Sequence, residues 1–110
     1  MKTLKFSPPL VKLILIREKT STWRLFDDKN LRTGDEVKFI NSSNLEVFGH
    51  GVITNVVSKT FATLTEEDWD GHEHFAIEAE MLATYSGYYR QSVTSETGLK
   101  ILHFNFDPLI

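Results

Sequence analysis

Polar and apolar residues alternate over 3–6, 36–40 and 99–104, and apolar residues recur at helical spacing over 8–17 and 75–85. A period of two marks a half-buried strand; recurrence every three or four residues marks a helix face. Residues 3–6 are therefore a first strand. Ser7-Pro8 starts a helix, with Ser at the N-cap and Pro at the first helical position. Leu10, Leu13 and Ile14 carry that helix to about residue 17. Val11, Leu15 and Ile16 broaden its apolar surface, so a strand is the alternative there. Thr20 to Phe26 reads as a strand, followed by the polar turns Asp27-Asp28-Lys29-Asn30 and Thr33-Gly34-Asp35. Glu36 to Ile40 is the next strand, with Val37 and Phe39 facing one way.

After the loop Asn41-Ser42-Ser43-Asn44, Leu45 to Phe48 and Gly51 to Val57 form one or two strands. Gly49-His50-Gly51 allows a bulge or sharp bend between them. Thr65 with Asp68 three residues on approximates a capping box, and Gly71 ends that short helix. Phe75, Ala79, Leu82 and Tyr85 line one face of a further helix, which Gly87 stops. Leu99 to Phe106 is the last strand. Six or so short strands with two helical insertions predict a mainly β, α+β fold: a small closed β-barrel with helices plugging its ends. Its expected core is Leu13, Ile14, Val37, Phe39, Val52, Ile53, Phe61, Leu82, Ile101 and Phe104.

At 110 residues the chain is read as a single domain, and 41% hydrophobic residues supply a real core. The net charge of -3 is no general nucleic-acid footprint, so any anion site must be a local cationic patch. Cysteine is absent, which excludes a disulfide framework and a thiolate zinc site. No apolar run is long enough to span a bilayer, and the first residues lack the pattern of a signal peptide. A soluble, cytoplasmic monomer without a cofactor or a membrane partner is the expectation.

The densest polar chemistry lies in Arg17-Glu18-Lys19-Thr20-Ser21-Thr22-Trp23-Arg24, directly after the apolar run Leu10 to Ile16. Lys and Arg meet phosphate or a base edge, Thr hydroxyls give and accept hydrogen bonds, and Trp offers a stacking plane. The bland alternative is an edge strand whose polar face is merely solvated. Lys19 with Thr20 or Thr22 and a distant carboxylate could instead form a base and nucleophile pair. On a regular strand, however, Lys19 and Thr22 fall on opposite faces. His72 and His74 stand beside Glu66, Glu67, Asp68, Asp70 and Glu73, which tempts a metal assignment; a solvated acidic face explains them better. Tyr88 and Tyr89 beside Arg90 could stack a base, whereas Tyr85 belongs to the core. His50 and His103 are read as structural.

Lys19-Thr20-Ser21-Thr22-Trp23-Arg24-Leu25, Thr33-Gly34-Asp35-Glu36-Val37, Leu64-Thr65-Glu66-Glu67-Asp68 and Leu99-Lys100-Ile101-Leu102-His103-Phe104 together resemble an ASCH domain of the PUA-like superfamily. The family pattern is Gly-x-Lys-x-x-Glu-x-Arg. Lys19 and Arg24 match it, Arg17 stands in place of the Gly and Thr22 in place of the Glu. The threonine is shared with a bacterial branch that hydrolyses N4-acetylcytidine. By that resemblance Lys19 and Thr22 are catalytic, with Glu73 as the carboxylate after a one-residue shift, since strict spacing lands on His72. Arg17, Thr20, Trp23, Arg24 and Tyr89 are the implied ligand-binding residues. The resemblance implies RNA or a modified nucleoside as partner, no metal, and either plain binding or amide hydrolysis at one place.

Overall fold

The computed structural model describes residues 1–26, 29–72 and 74–109. The expected turn at Asp27-Asp28 and the candidate carboxylate Glu73 lie outside them. Strand β1 (Lys2–Phe6) leads into helix α1 (Pro8–Leu15). Ser7 is extended and the prolines follow at once, as the sequence pattern requires. The helix stops two residues short of the predicted 17. Arg17 adopts a left-handed φ of 66°, and the N–H groups of Glu18 and Lys19 both turn back to Leu13 O. That turn sends Lys19 inward and leaves Arg17 on the surface.

Strand β2 (Ser21–Arg24) follows, then β3 (Glu36–Asn41), β4 (Val47–Thr60), helix α2 (Glu78–Tyr89) and β5 (Gly98–Pro108). The five strands form one sheet in the order β1-β3-β4-β5-β2. β1 pairs with β3 in parallel; the other pairs are antiparallel. α1 and β2 therefore sit in the crossover between two parallel strands. The mixed sheet and its two helices match the expected PUA-like barrel; the sheet curls into a half-barrel, with β1 and β2 as its two outer strands, which do not pair with each other.

β4 is one continuous strand where one or two were predicted. Gly49 and Gly51 do not break it. A Cβ at either would run into the chain packed opposite, Phe106 and Asp107 O for Gly49, Asn105 O and Phe39 for Gly51. The expected irregularity is present as a register shift against β3, where Phe39 and Ile40 face Gly49 and Val47, and a second shift against β5 lies between Ile53 and Asn55. α2 also departs from expectation. It begins three residues after Phe75 and runs through Gly87, whose missing Cβ faces open space, to a left-handed cap at Arg90. Its buried positions are Met81 and Tyr85, while Ala79 is exposed and Leu82 half-buried.

Two apolar clusters lie on opposite faces of the sheet. Alternation along β5 divides them: Leu102, Phe104 and Phe106 join Phe39, Phe6 and α1, and Leu99 and Ile101 join Trp23, Phe61 and α2. Seven of the expected core residues are buried: Ile14, Val37, Phe39, Ile53, Phe61, Ile101 and Phe104. Leu13 and Leu82 are half-buried, and Val52 is on the outside at 38% exposure because its neighbours Gly51 and Ile53 take the inward positions of β4.

The Thr65–Asp68 cap exists as the sequence predicts, on a 3-10 turn over Glu66–Trp69. Asp68 Oδ2 accepts from Thr65 N at 2.7 Å and from Lys59 Nζ at 3.0 Å. Burial pushes the Asp68 carboxyl up, but the Thr65 and Lys59 hydrogen bonds together hold it below the usual carboxylate range. Asp68→Ala is expected to cost about 1–2 kcal/mol at pH 7. A carboxyl with a lower folded than unfolded pKa stabilises fully above about pH 4 and loses that contribution as pH falls through its native value. Urea melts of both proteins at neutral and strongly acid pH check this; a difference unchanged by acid contradicts it.

Candidate functional site

The sheet's two free edges face one another, and side chains fasten them where a backbone ladder is missing. Arg24 Nη2 donates to Lys5 O at 3.0 Å, and its guanidinium lies 4.9 Å from the centre of the Phe6 ring. Lys29 Nζ donates to Thr3 O at 2.7 Å. Leu25 N donates to Tyr89 Oη at 3.0 Å, tying β2 to α2. Above this seam lies a cleft of about 290 Å³. Lys5, Phe6, Ser7 and Ser42 form its β1 side, Thr22, Trp23 and Arg24 its β2 side, and Tyr85, Tyr88 and Tyr89 its α2 side. All three tyrosines of the chain are here. Tyr88 is 57% exposed and meets the ring of Tyr85 edge-on at 5.6 Å between centroids, whereas Tyr85 is only 4% exposed and belongs to the core.

The stretch 17–24 is divided by its own backbone. Thr22, Trp23 and Arg24 reach the cleft. Arg17 does not line it: its Nη1 donates to Phe106 O at 2.6 Å and its guanidinium lies over the Phe106 ring. Thr20 is exposed, with its N–H on Gly71 O at 2.8 Å. Lys19 is 2% exposed and Thr22 5%. Among the described residues Lys19 is the one buried Lys or Arg. β2 begins at Ser21, so strand alternation does not govern Lys19 and does not force it to the face opposite Thr22. Of the expected binding residues, Trp23, Arg24 and Tyr89 meet at the cleft.

Trp23 does not offer the ring face expected of it. It is 2% exposed, stacks on His72 at 3.9 Å between centroids, and meets Trp69 edge-on at 4.6 Å. Its Nε1 is buried without a hydrogen-bond partner among the described residues. His72 is 5% exposed and shares a hydrogen bond of 3.2 Å with Tyr85 Oη. It therefore belongs to the aromatic core, not to a display of surface ligands. His74 lies apart from it, stacked on Trp69 at 5.2 Å. Among the described residues no group of three or more His, Asp or Glu is placed to hold a metal ion. Lys5, Ser7 and Ser42 carried no sequence signal, because their place in the cleft comes from the parallel β1–β3 pairing.

At the sequence level no family model and no curated protein matches the chain. Solved structures do match. A protein from Enterococcus faecalis V583 superposes with a TM-score of 0.75 at 14% identity, over 93% of this chain and 72% of that one. The ASCH domain from Lactobacillus crispatus gives a TM-score of 0.62 at 16% identity, over 86% of this chain and 68% of that one. ASCH from Zymomonas mobilis gives 0.61 at 17% identity, over 94% of this chain and 65% of that one. Among the described residues no helix is long and apolar enough to cross a membrane. The chain has the fold of the ASCH domain, a small PUA-like half-barrel with helices packed against its sheet.

Proposed function

We propose that the chain is an ASCH-family protein that binds a nucleobase-containing ligand, RNA or a modified nucleoside, in the cleft between β1 and β2. The observation that carries this is the meeting of Arg24, Thr22 and all three tyrosines at one opening. An exposed tyrosine face stacks any base, and a cation beside it favours the attached phosphate. The overall charge of -3 suits a compact ligand, since a duplex rewards many phosphate contacts. The protein works in this reading as a cytoplasmic monomer.

A second reading, deacylation of N4-acylated cytidine by Lys19, Thr22 and Glu73, draws support from the burial of Lys19. A lysine withdrawn from water this fully is costly unless a polar site uses it. One assay separates the two readings. Incubation with N4-acetylcytidine is followed for cytidine release, with Lys19→Ala and Thr22→Ala in parallel. Turnover lost by at least about a hundredfold in both variants is the result expected of the hydrolase. Absence of turnover, with salt-sensitive binding of short single-stranded RNA lost in Arg24→Ala, is the result expected of the binding domain. A protein that recognises neither ligand refutes both.

A further inference from the structure

The two sides of the cleft differ in chemistry. The α2 side is aromatic, with Tyr88 open to solvent. The β1 side carries Lys5, Ser7 and Ser42. Ser42 N donates to Phe6 O at 2.9 Å, which fixes Ser42 alongside the Phe6–Ser7 link. Ser7 is the residue before α1, yet its hydroxyl makes no cap bond to that helix. Pro8 and Pro9 deprive the same helix end of two N–H groups, so any anion here is recognised by side chains rather than by a helix terminus. Among the described lining residues there are two cations and no carboxylate, on a chain whose acidic residues outnumber its basic ones. Such a cleft is locally positive and favours an anionic ligand over a neutral one. Its volume of about 290 Å³ is at the small end for ligand sites.

We infer that the ligand is a nucleoside phosphate, with its base against Tyr88 and its phosphate held by Lys5, Ser7 and Ser42. This rests on the nucleobase reading above and adds the anion to it. The phosphate belongs either to a free mononucleotide or to the end of an RNA strand. Cytidine and cytidine 5′-monophosphate are titrated into the full chain by calorimetry at low and high salt. The monophosphate is expected to bind at least about tenfold tighter at low salt, and the gap to narrow at high salt. Lys5→Ala is expected to bring the two ligands to within about threefold of each other, and Lys5→Arg to keep them apart. The Lys5 side chain is exposed and its carbonyl stays available to Arg24, so the variant leaves the seam intact. Competition of the bound monophosphate by a short 5′-phosphorylated RNA identifies the strand end as its source; lack of competition identifies the free nucleotide. Both support the inference. Equal binding of nucleoside and monophosphate, or a preference untouched by Lys5→Ala, overturns it and leaves the nucleobase reading standing. Failure of both ligands to bind overturns the two together.

Discussion

Phe39→Ala is expected to lower the unfolding free energy by about 3–5 kcal/mol. The ring is fully buried and touches four others: Phe6 at 5.5 Å, Phe48 at 6.0 Å, Phe104 at 4.9 Å and Phe106 at 5.0 Å between centroids. It sits against the bare backbone of Gly51, which no other residue could supply. Phe48 and Phe104 meet it edge-on, Phe6 is stacked on it and Phe106 is tilted; rings packed in such different orientations do not slide together into the hole, so most of the cavity persists. A domain of this size has only about 5–15 kcal/mol to lose. Denaturant melts check it through the midpoint at constant slope. Val52→Ala on the neighbouring strand, with the side chain outward, is the control and is expected within about 0.5 kcal/mol of the parent. A loss below about 1 kcal/mol for Phe39→Ala means that the cluster collapses onto the hole and contradicts the packing argument.

Gly71→Ala is expected to cost about 2–4 kcal/mol, from a left-handed backbone that L residues resist and from a collision. Gly71 has a φ of +71°, and a Cβ there would strike Thr20 Oγ1. Its carbonyl accepts from both Thr20 N and Ser21 N, at 2.8 and 3.1 Å. The same residue therefore fixes the entry of β2, and ligand binding at the cleft is expected to weaken along with stability. Adding Thr20→Ala separates the causes. It removes the struck oxygen and is expected to restore all but the backbone cost of about 1–2 kcal/mol. A Gly71→Ala protein as stable as its parent, or one that Thr20→Ala does not help, refutes the account.

The short strands and both helices could be read from periodicity because each presents one apolar face to one neighbour. Ser7-Pro8 and Thr65-Asp68 could be read because the cap chemistry is local. What was not legible depends on contacts made far along the chain. Gly49 and Gly51 look like a break, since a sequence shows the missing side chain but not the backbone and rings of β5 and β3 that need its space. Val52 looks like core because it is apolar and follows a glycine, yet Gly51 and Ile53 on either side of it take the inward positions. Gly87 looks like a stop, yet on a solvent-facing turn it costs the helix only about 1 kcal/mol. Closure of a barrel is a relation between first and last-placed strands, and no strand count decides it. The stretch 17–24 was legible as chemistry. Its division into Arg17 outward, Lys19 buried and Thr22 to Arg24 at the cleft was not, because the left-handed Arg17 and the start of β2 at Ser21 set it. His72 stands among acids in the sequence, yet it stacks inside on Trp23, a contact that only the tertiary fold makes.

β2 lies at the sheet's margin and pairs only with β5, with Ser21 opposite His103. During synthesis the chain emerges from its N-terminus and folds as its parts become available. Residues 17–24 leave the ribosome before β3, β4 and β5, and β3 and β4 can meet as neighbours soon after they emerge. Until Gly98–Pro108 has emerged, however, Trp23 has no Ile101 beside it and Arg24 belongs to no strand pair. A nascent chain arrested before that point displays Thr22, Trp23 and Arg24 without the strand that holds them in the wall of the cleft.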